Sequence, residues 1–151
     1  MTDALDPLRE LPLHAYRPRP ALHRPVSDVG RARFPVVDVH AHLGRWLTGA
    51  WAARDVGDLL ATMEAANVAT VVNLDGMWGD EVRANIARYD EAHRGRFVSF
   101  AKWDRSLVGE HGDFGARLGA QVRSAVDDGA RGLKVWKDLG LHLRAIRPAP
   151  S

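Results

Sequence analysis

The sequence predicts an α/β fold with parallel strands, and three observations carry that prediction. Short apolar runs rich in β-branched residues alternate with longer segments whose apolar residues recur at helical spacing. The two kinds follow one another as βαβαβαβ, with strands about 30 residues apart, the length of a βαβ unit. The polar residues that stand out are His40 and His42, Asp75, Asp104 and the pair Lys137-Asp138. Each follows the C-terminal end of a predicted strand, where both open α/β sheets and closed βα barrels carry their sites.

Composition narrows the class. At 151 residues the chain is long enough for one domain with a core. Its 46% hydrophobic and 26% charged residues match a soluble globular protein. No apolar stretch approaches the length of a membrane span, so no membrane partner is expected. Met1-Thr2-Asp3-Ala4-Leu5-Asp6 lacks the basic start and apolar run of a secretory signal, so a cytoplasmic location is expected. The absence of cysteine excludes disulfides, thiolate metal sites and a cysteine nucleophile. A net charge of +2 is too small to argue for nucleic acid.

Residues 1–33 read as an extended arm. Leu11-Pro12-Leu13-His14-Ala15-Tyr16-Arg17-Pro18-Arg19-Pro20 and His23-Arg24-Pro25 are rich in Pro and Arg. Repeated Pro fixes φ, removes donors and discourages helix in the preceding residue. The arm is expected to be partly polyproline II and to lie as a strap over the domain.

Residues 34–141 carry the regular pattern. The first strand is Val36 to His40. A helix follows over 54–66, with Val56, Leu59, Leu60 and Met63 on one face and Asp55 and Asp58 near its start. The second strand covers 69–74. A helix over 80–93 turns Val82, Ile86 and Tyr89 inward. The third strand covers 96–101. A helix over 114–128 turns Leu118, Val122, Ala125 and Val126 inward, and the fourth strand covers 132–136. No Gly-x-Gly-x-x-Gly follows the first strand and no phosphate-loop motif occurs, so nucleotide readings have no support. Gly109, Gly112, Gly115 and Gly119 read as a loop and helix start. The closure is left open between a doubly wound sheet and a (β/α)8 barrel.

The chemistry centres on Phe34-Pro35-Val36-Val37-Asp38-Val39-His40-Ala41-His42-Leu43-Gly44. Side chains alternate along a strand, so Val36, Asp38, His40 and His42 share a face. Two imidazoles at one strand's end can hold a divalent metal from a rigid element. Neutral His is the commonest metal ligand, and Zn²⁺ accepts nitrogen donors readily.

The segment Val37-Asp38-Val39-His40-Ala41-His42-Leu43-Gly44 resembles the first strand of the amidohydrolase superfamily, in particular the branch that includes aminocarboxymuconate-semialdehyde decarboxylase. The resemblance continues through Tyr16-Arg17-Pro18-Arg19, Gly95-Arg96-Phe97-Val98 and Gly132-Leu133-Lys134-Val135-Trp136-Lys137-Asp138-Leu139-Gly140, and covers most of residues 16–141. It implies a metal-dependent (β/α)8 barrel of the TIM type in which His40 and His42 bind the metal. By position, Lys134 is the candidate for a carboxylated lysine that bridges metals in some branches. Asp75 and Trp136 are candidate substrate-binding residues. The implied cofactor is a divalent metal, Zn²⁺ first, and the implied activity is hydrolysis of a small-molecule substrate by metal-activated water, or a related decarboxylation.

Such a barrel needs about 250 residues, and the pattern here covers about four βα units. The chain therefore reads as the N-terminal half of the barrel, inactive alone. Further His ligands and a catalytic Asp would lie on later strands. Residues 142–151 read as an irregular tail, left by truncation or a frameshift. The alternative is a catalytically silent half-barrel that acts through self-association as a homo-oligomer. A phosphoesterase that also opens with His-x-His is disfavoured by the fourth-strand sequence.

Overall fold

The computed structural model of the chain describes residues 11–19, 21–22, 25, 27–46, 48–108 and 113–137. Five strands lie within them: β1 (Val36–Ala41), β2 (Val68–Asn73), β3 (Phe97–Ser99), β4 (Ala101–Lys102) and β5 (Leu133–Lys134). Three α-helices separate them: α1 (Val56–Ala66), α2 (Asp80–Asn85) and α3 (Phe114–Asp127). One sheet has the order β1-β2-β3 and the other pairs β4 with β5. Every pairing is parallel, so the chain is mixed α/β with small parallel sheets.

The predicted third strand, 96–101, is present as β3 and β4 on either side of Phe100. Its two edges have different neighbours. The Phe100 N–H donates to the Asn73 carbonyl at 2.9 Å, and the Gly76 N–H donates to the Phe100 carbonyl at 3.0 Å. On the other edge, Arg131 N–H donates to the Ser99 carbonyl at 3.0 Å and Ala101 N–H to the Gly132 carbonyl at 2.9 Å. The extended segment thus lies between β2 and β5, and the strands succeed one another in space as they do in sequence. The close approach suits glycine at position 132, because a Cβ there would stand 2.6 Å from the Phe100 ring and the ring would have to move.

Each helix has an identifiable start or stop. The Asp55 carboxylate accepts from Gly57 N–H at 2.6 Å and caps α1, while Asn67 ends it in the left-handed region at φ 61°. Asp113 caps α3 by accepting from Ala116 N–H at 3.0 Å. The helix expected over 80–93 divides instead: α2 gives way to a π-helical turn over Ile86–Glu91. The side chains of Val82, Ile86 and Tyr89 are all buried as expected.

The core has two parts. Leu43, Met63, Val71, Tyr89 and Phe97 form one, with Val56, Leu59 and Leu60 of α1 packed against it. Val82, Ile86, Ala101, Ala125 and Ala130 form the other. Expected inward positions of α3 hold for Ala125, which is buried, and for Leu118 and Val122, which are half-buried. Val126 is not inward but 58% exposed. At 3.6 residues per turn it lies roughly 80° around the helix from Leu118, beyond the packed stripe. Only Leu133–Lys134 of the expected fourth strand joins a ladder.

The described part of the arm is exposed and mostly irregular, with one 3₁₀ turn at Leu13–Ala15. Its end is tied to the C-terminus of α1. The Arg31 guanidinium donates to the Glu64 and Ala65 carbonyls, the last-turn acceptors a cation favours. Asn67 Nδ2 donates to the Ala32 carbonyl at 2.9 Å. The tail expected over 142–151 lies outside the described residues. No described helix is long and apolar enough to cross a membrane.

Tyr89 joins the core to β1: its ring is fully buried, and its hydroxyl donates to the Leu43 carbonyl at 3.0 Å. Burial pushes the phenol's pKa up, against a smaller opposing effect of Arg88. Tyr89→Phe leaves that carbonyl without its donor and should cost about 1–3 kcal/mol in urea unfolding, with unchanged m. An unmoved midpoint would show that the bond contributes nothing.

Candidate functional site

A buried amide positions the ends of the first two strands. Asn73 is fully buried at the end of β2. Its Oδ1 accepts from Leu43 N–H at 3.0 Å and from Asp75 N–H at 3.1 Å, and its Nδ2 donates to Asn85 Oδ1 at 2.9 Å. The segments carrying His42 and Asp75 are thereby fixed to one side chain. They also approach closely. A Cβ on Gly44 would lie 2.7 Å from both Cβ and the carbonyl oxygen of Asp75, so the residue two beyond His42 has to be glycine.

His40 and His42 lie side by side, with ring centroids 5.3 Å apart, in accord with the alternation read from sequence. Asp38 accepts from the His40 backbone N–H at 2.9 Å. His42 Nδ1 lies 2.7 Å from Asp75 Oδ1. The same oxygen accepts from Trp46 Nε1 at 2.7 Å and from Lys102 Nζ at 2.9 Å. Asp75 is fully buried, and its Oδ2 has no hydrogen-bond partner among the described residues. Burial acts to raise the Asp75 pKa. The hydrogen bonds from His42, Lys102 and Trp46, with the charge of Lys102, outweigh it and hold the carboxyl below its ordinary value.

The Lys102 ammonium stands over two indoles, 4.0 Å from the Trp46 ring centroid and 4.5 Å from that of Trp136. The two rings meet edge to face at 4.7 Å, and Trp136 lies 6.0 Å from the His42 ring. The loop that brings Trp46 here is held by Arg45, which pairs with Glu81 through two bonds of 3.1 and 2.5 Å and stacks over Trp51 at 4.7 Å.

Of the residues selected from sequence, His40, His42, Asp75 and Trp136 therefore come together. Lys134 is half-buried, stands in register with Lys102, and makes no hydrogen bond or ion pair among the described residues. Asp104 takes no part: it caps the turn Arg105–Leu107 by accepting from Ser106 N–H at 2.9 Å. Lys137 is exposed and Asp138 lies outside the described residues. Sequence reasoning missed Lys102 and Trp46. Val98, Phe100 and Lys102 alternate along one extended segment, and that period was the available signal for Lys102. Nothing in the sequence marked Trp46.

Among the described residues no group of three or more His, Asp or Glu is placed to hold a metal ion. No family model, curated protein or solved structure matches the chain.

Folding holds Asp75 below its ordinary value of 3.8, so the ionised carboxylate adds stability that is complete above that value. The contribution is lost as pH falls through the folded-state pKa. Thermal unfolding of the wild type should therefore lose stability below about pH 4. Asp75→Asn, less stable at neutral pH, should fall less steeply over that window. Parallel acid limbs would remove Asp75 as a source of the pH dependence.

Proposed function

We propose that the described strands form an arc of a (β/α)8 barrel of the amidohydrolase kind, and that His40 and His42 are two ligands of its divalent metal, Zn²⁺ first. The paired imidazoles carry this reading, with His42 Nδ1 against a buried carboxylate. An ionised carboxylate accepts, so Nδ1 carries the proton and Nε2 keeps the lone pair that a metal needs. Carboxylate–histidine pairs of this type orient metal ligands. The strand order supports the arc: it follows the sequence without the reversal of a doubly wound sheet.

In this reading the chain is part of a hydrolase or carboxy-lyase acting on a small molecule. A Zn²⁺ ion, when bound, lowers the pKa of coordinated water to about 7 and polarises a substrate oxygen. His40 and His42 hold it, Asp75 fixes the His42 ring, and Trp46 and Trp136 wall the substrate side. Two imidazoles are fewer than the three protein ligands of usual catalytic zinc sites, so the remaining ligands and the acid–base group would come from outside the described residues. Lys134, in register with Lys102 across the β4–β5 ladder, is the candidate for the carboxylated lysine.

The second reading is a silent half-barrel that pairs with another copy of itself. It is favoured by apolar side chains left open on the outer strands, Val37 at 55% and Val39 at 68% exposed, with Val135 at 46% just beyond β5. Light scattering separates the two: concentration-dependent dimers without metal favour self-association, and a monomer at all concentrations ends it.

For the metal, in a context that supplies the remaining ligands, His40→Ala and His42→Ala should each remove most bound Zn²⁺, because each deletes a direct bond. Elemental analysis after dialysis reads this directly, and unchanged metal in both variants would end the ligand assignment. Lys134→Ala should lose one metal of a pair where the wild type, refolded with bicarbonate, holds two. Full stoichiometry in the variant would return Lys134 to packing.

A further inference from the structure

We propose that Lys102, assisted by Trp46, is a positioning residue that sets the tautomer of His42. It acts through Asp75, and it extends the reading of His42 as a metal ligand.

The geometry is that of a relay of position. Lys102 is 6% exposed, a burial that an ammonium tolerates only when paired. Its Nζ donates to Asp75 Oδ1 at 2.9 Å, and the indoles of Trp46 and Trp136 flank it at 4.0 and 4.5 Å. Two aromatic faces and one carboxylate are among the contacts that hold that ammonium. Asp75 Oδ1 in turn meets Lys102, Trp46 Nε1 and His42 Nδ1, all within 2.9 Å. With its donors gathered on one oxygen, the carboxylate is fixed in the orientation that faces the imidazole. Asp75 Oδ2, buried and without a partner among the described residues, offers no competing anchor.

Remove the ammonium and that orientation loses its charge-assisted bond, the strongest kind available here. The carboxylate can then turn towards other donors. His42 loses the acceptor that keeps its proton on Nδ1, and Nε2–H becomes accessible. A ring protonated on Nε2 cannot offer that nitrogen to a metal. Lys102 itself need not touch metal or substrate.

The test uses the full chain without metal, labelled with ¹⁵N in its histidines, at a pH well above the ordinary His value of about 6.5. Two-bond ¹H–¹⁵N spectra report which ring nitrogen carries the proton. The wild type should show His42 with the proton on Nδ1. Lys102→Met should lose that signature, Lys102→Arg should keep most of it, and Trp46→Phe should weaken it. Zn²⁺ titration of the same proteins should show affinity lower by about 10-fold to 100-fold in Lys102→Met, the usual effect of losing an outer partner of a ligand. A wild-type His42 protonated on Nε2 overturns the proposal, and so does a folded Lys102→Met that keeps the Nδ1 proton. If Lys102→Met does not fold, the wild type and Trp46→Phe decide, and an unchanged tautomer in Trp46→Phe overturns the relay. If the tautomer responds as expected while the wild type binds no Zn²⁺, the positioning role stands and the ligand reading fails.

Discussion

A carboxylate without solvent exposure is the constraint around which this fold is arranged. Asp75 has to be compensated where it lies, and the compensation comes from β4, from the end of β1 and from the loop beyond it. A buried charge that loses its partner is strongly destabilising, whereas a satisfied one chiefly restricts which arrangements are allowed. The restriction reaches the backbone, because the approach of Gly44 to Asp75 leaves no room for a Cβ.

Polar pairing also fixes the helix side of the sheet. Asn73 and Asn85 join β2 to α2. Ser99 donates to Asp90 through its hydroxyl at 2.6 Å and its backbone N–H at 2.8 Å, joining β3 to the π-helical turn. A slip of one residue in either strand would turn these groups to the opposite face and leave their partners unpaired. The apolar core supplies attraction without direction. The amides and carboxylates beside it select the register that brings His42, Asp75 and Lys102 to one level.

Much of this was legible in sequence because periodicity reports burial. The run at β2 and the apolar faces of α1 and α3 reflect one-sided packing, whereas the apolar run at β1, which reads as a buried strand, is exposed from Val36 to His40. The bounds of all four elements lie within a few residues of expectation. The His pair was legible for the same reason, since alternation along β1 puts both rings on one face. Contacts that depend on a distant partner were not. The split at Phe100 arises from having β2 on one edge and Gly132 on the other, which no local pattern encodes. Lys102 looked like any lysine at a strand's rim, because its meaning comes from Asp75, distant in sequence. Lys134 drew attention as a lysine within an apolar run, yet the buried ion pair belongs to its neighbour across the ladder.

The short ladder between β4 and β5 has a consequence for how the site holds together. It rests on two residues from each strand, whereas β1 and β2 are each six residues long. Regions with few backbone bonds open at lower free energy than the core they adjoin. His42 and Asp75 belong to the well-secured part, through Asn73 and Tyr89, while Trp136 follows the two-residue strand. The cluster is therefore a fixed wall facing a yielding one. Fluctuations that leave the main core intact would draw the indole of Trp136 away from Lys102 first, giving the cluster a compliant side within an otherwise stiff frame.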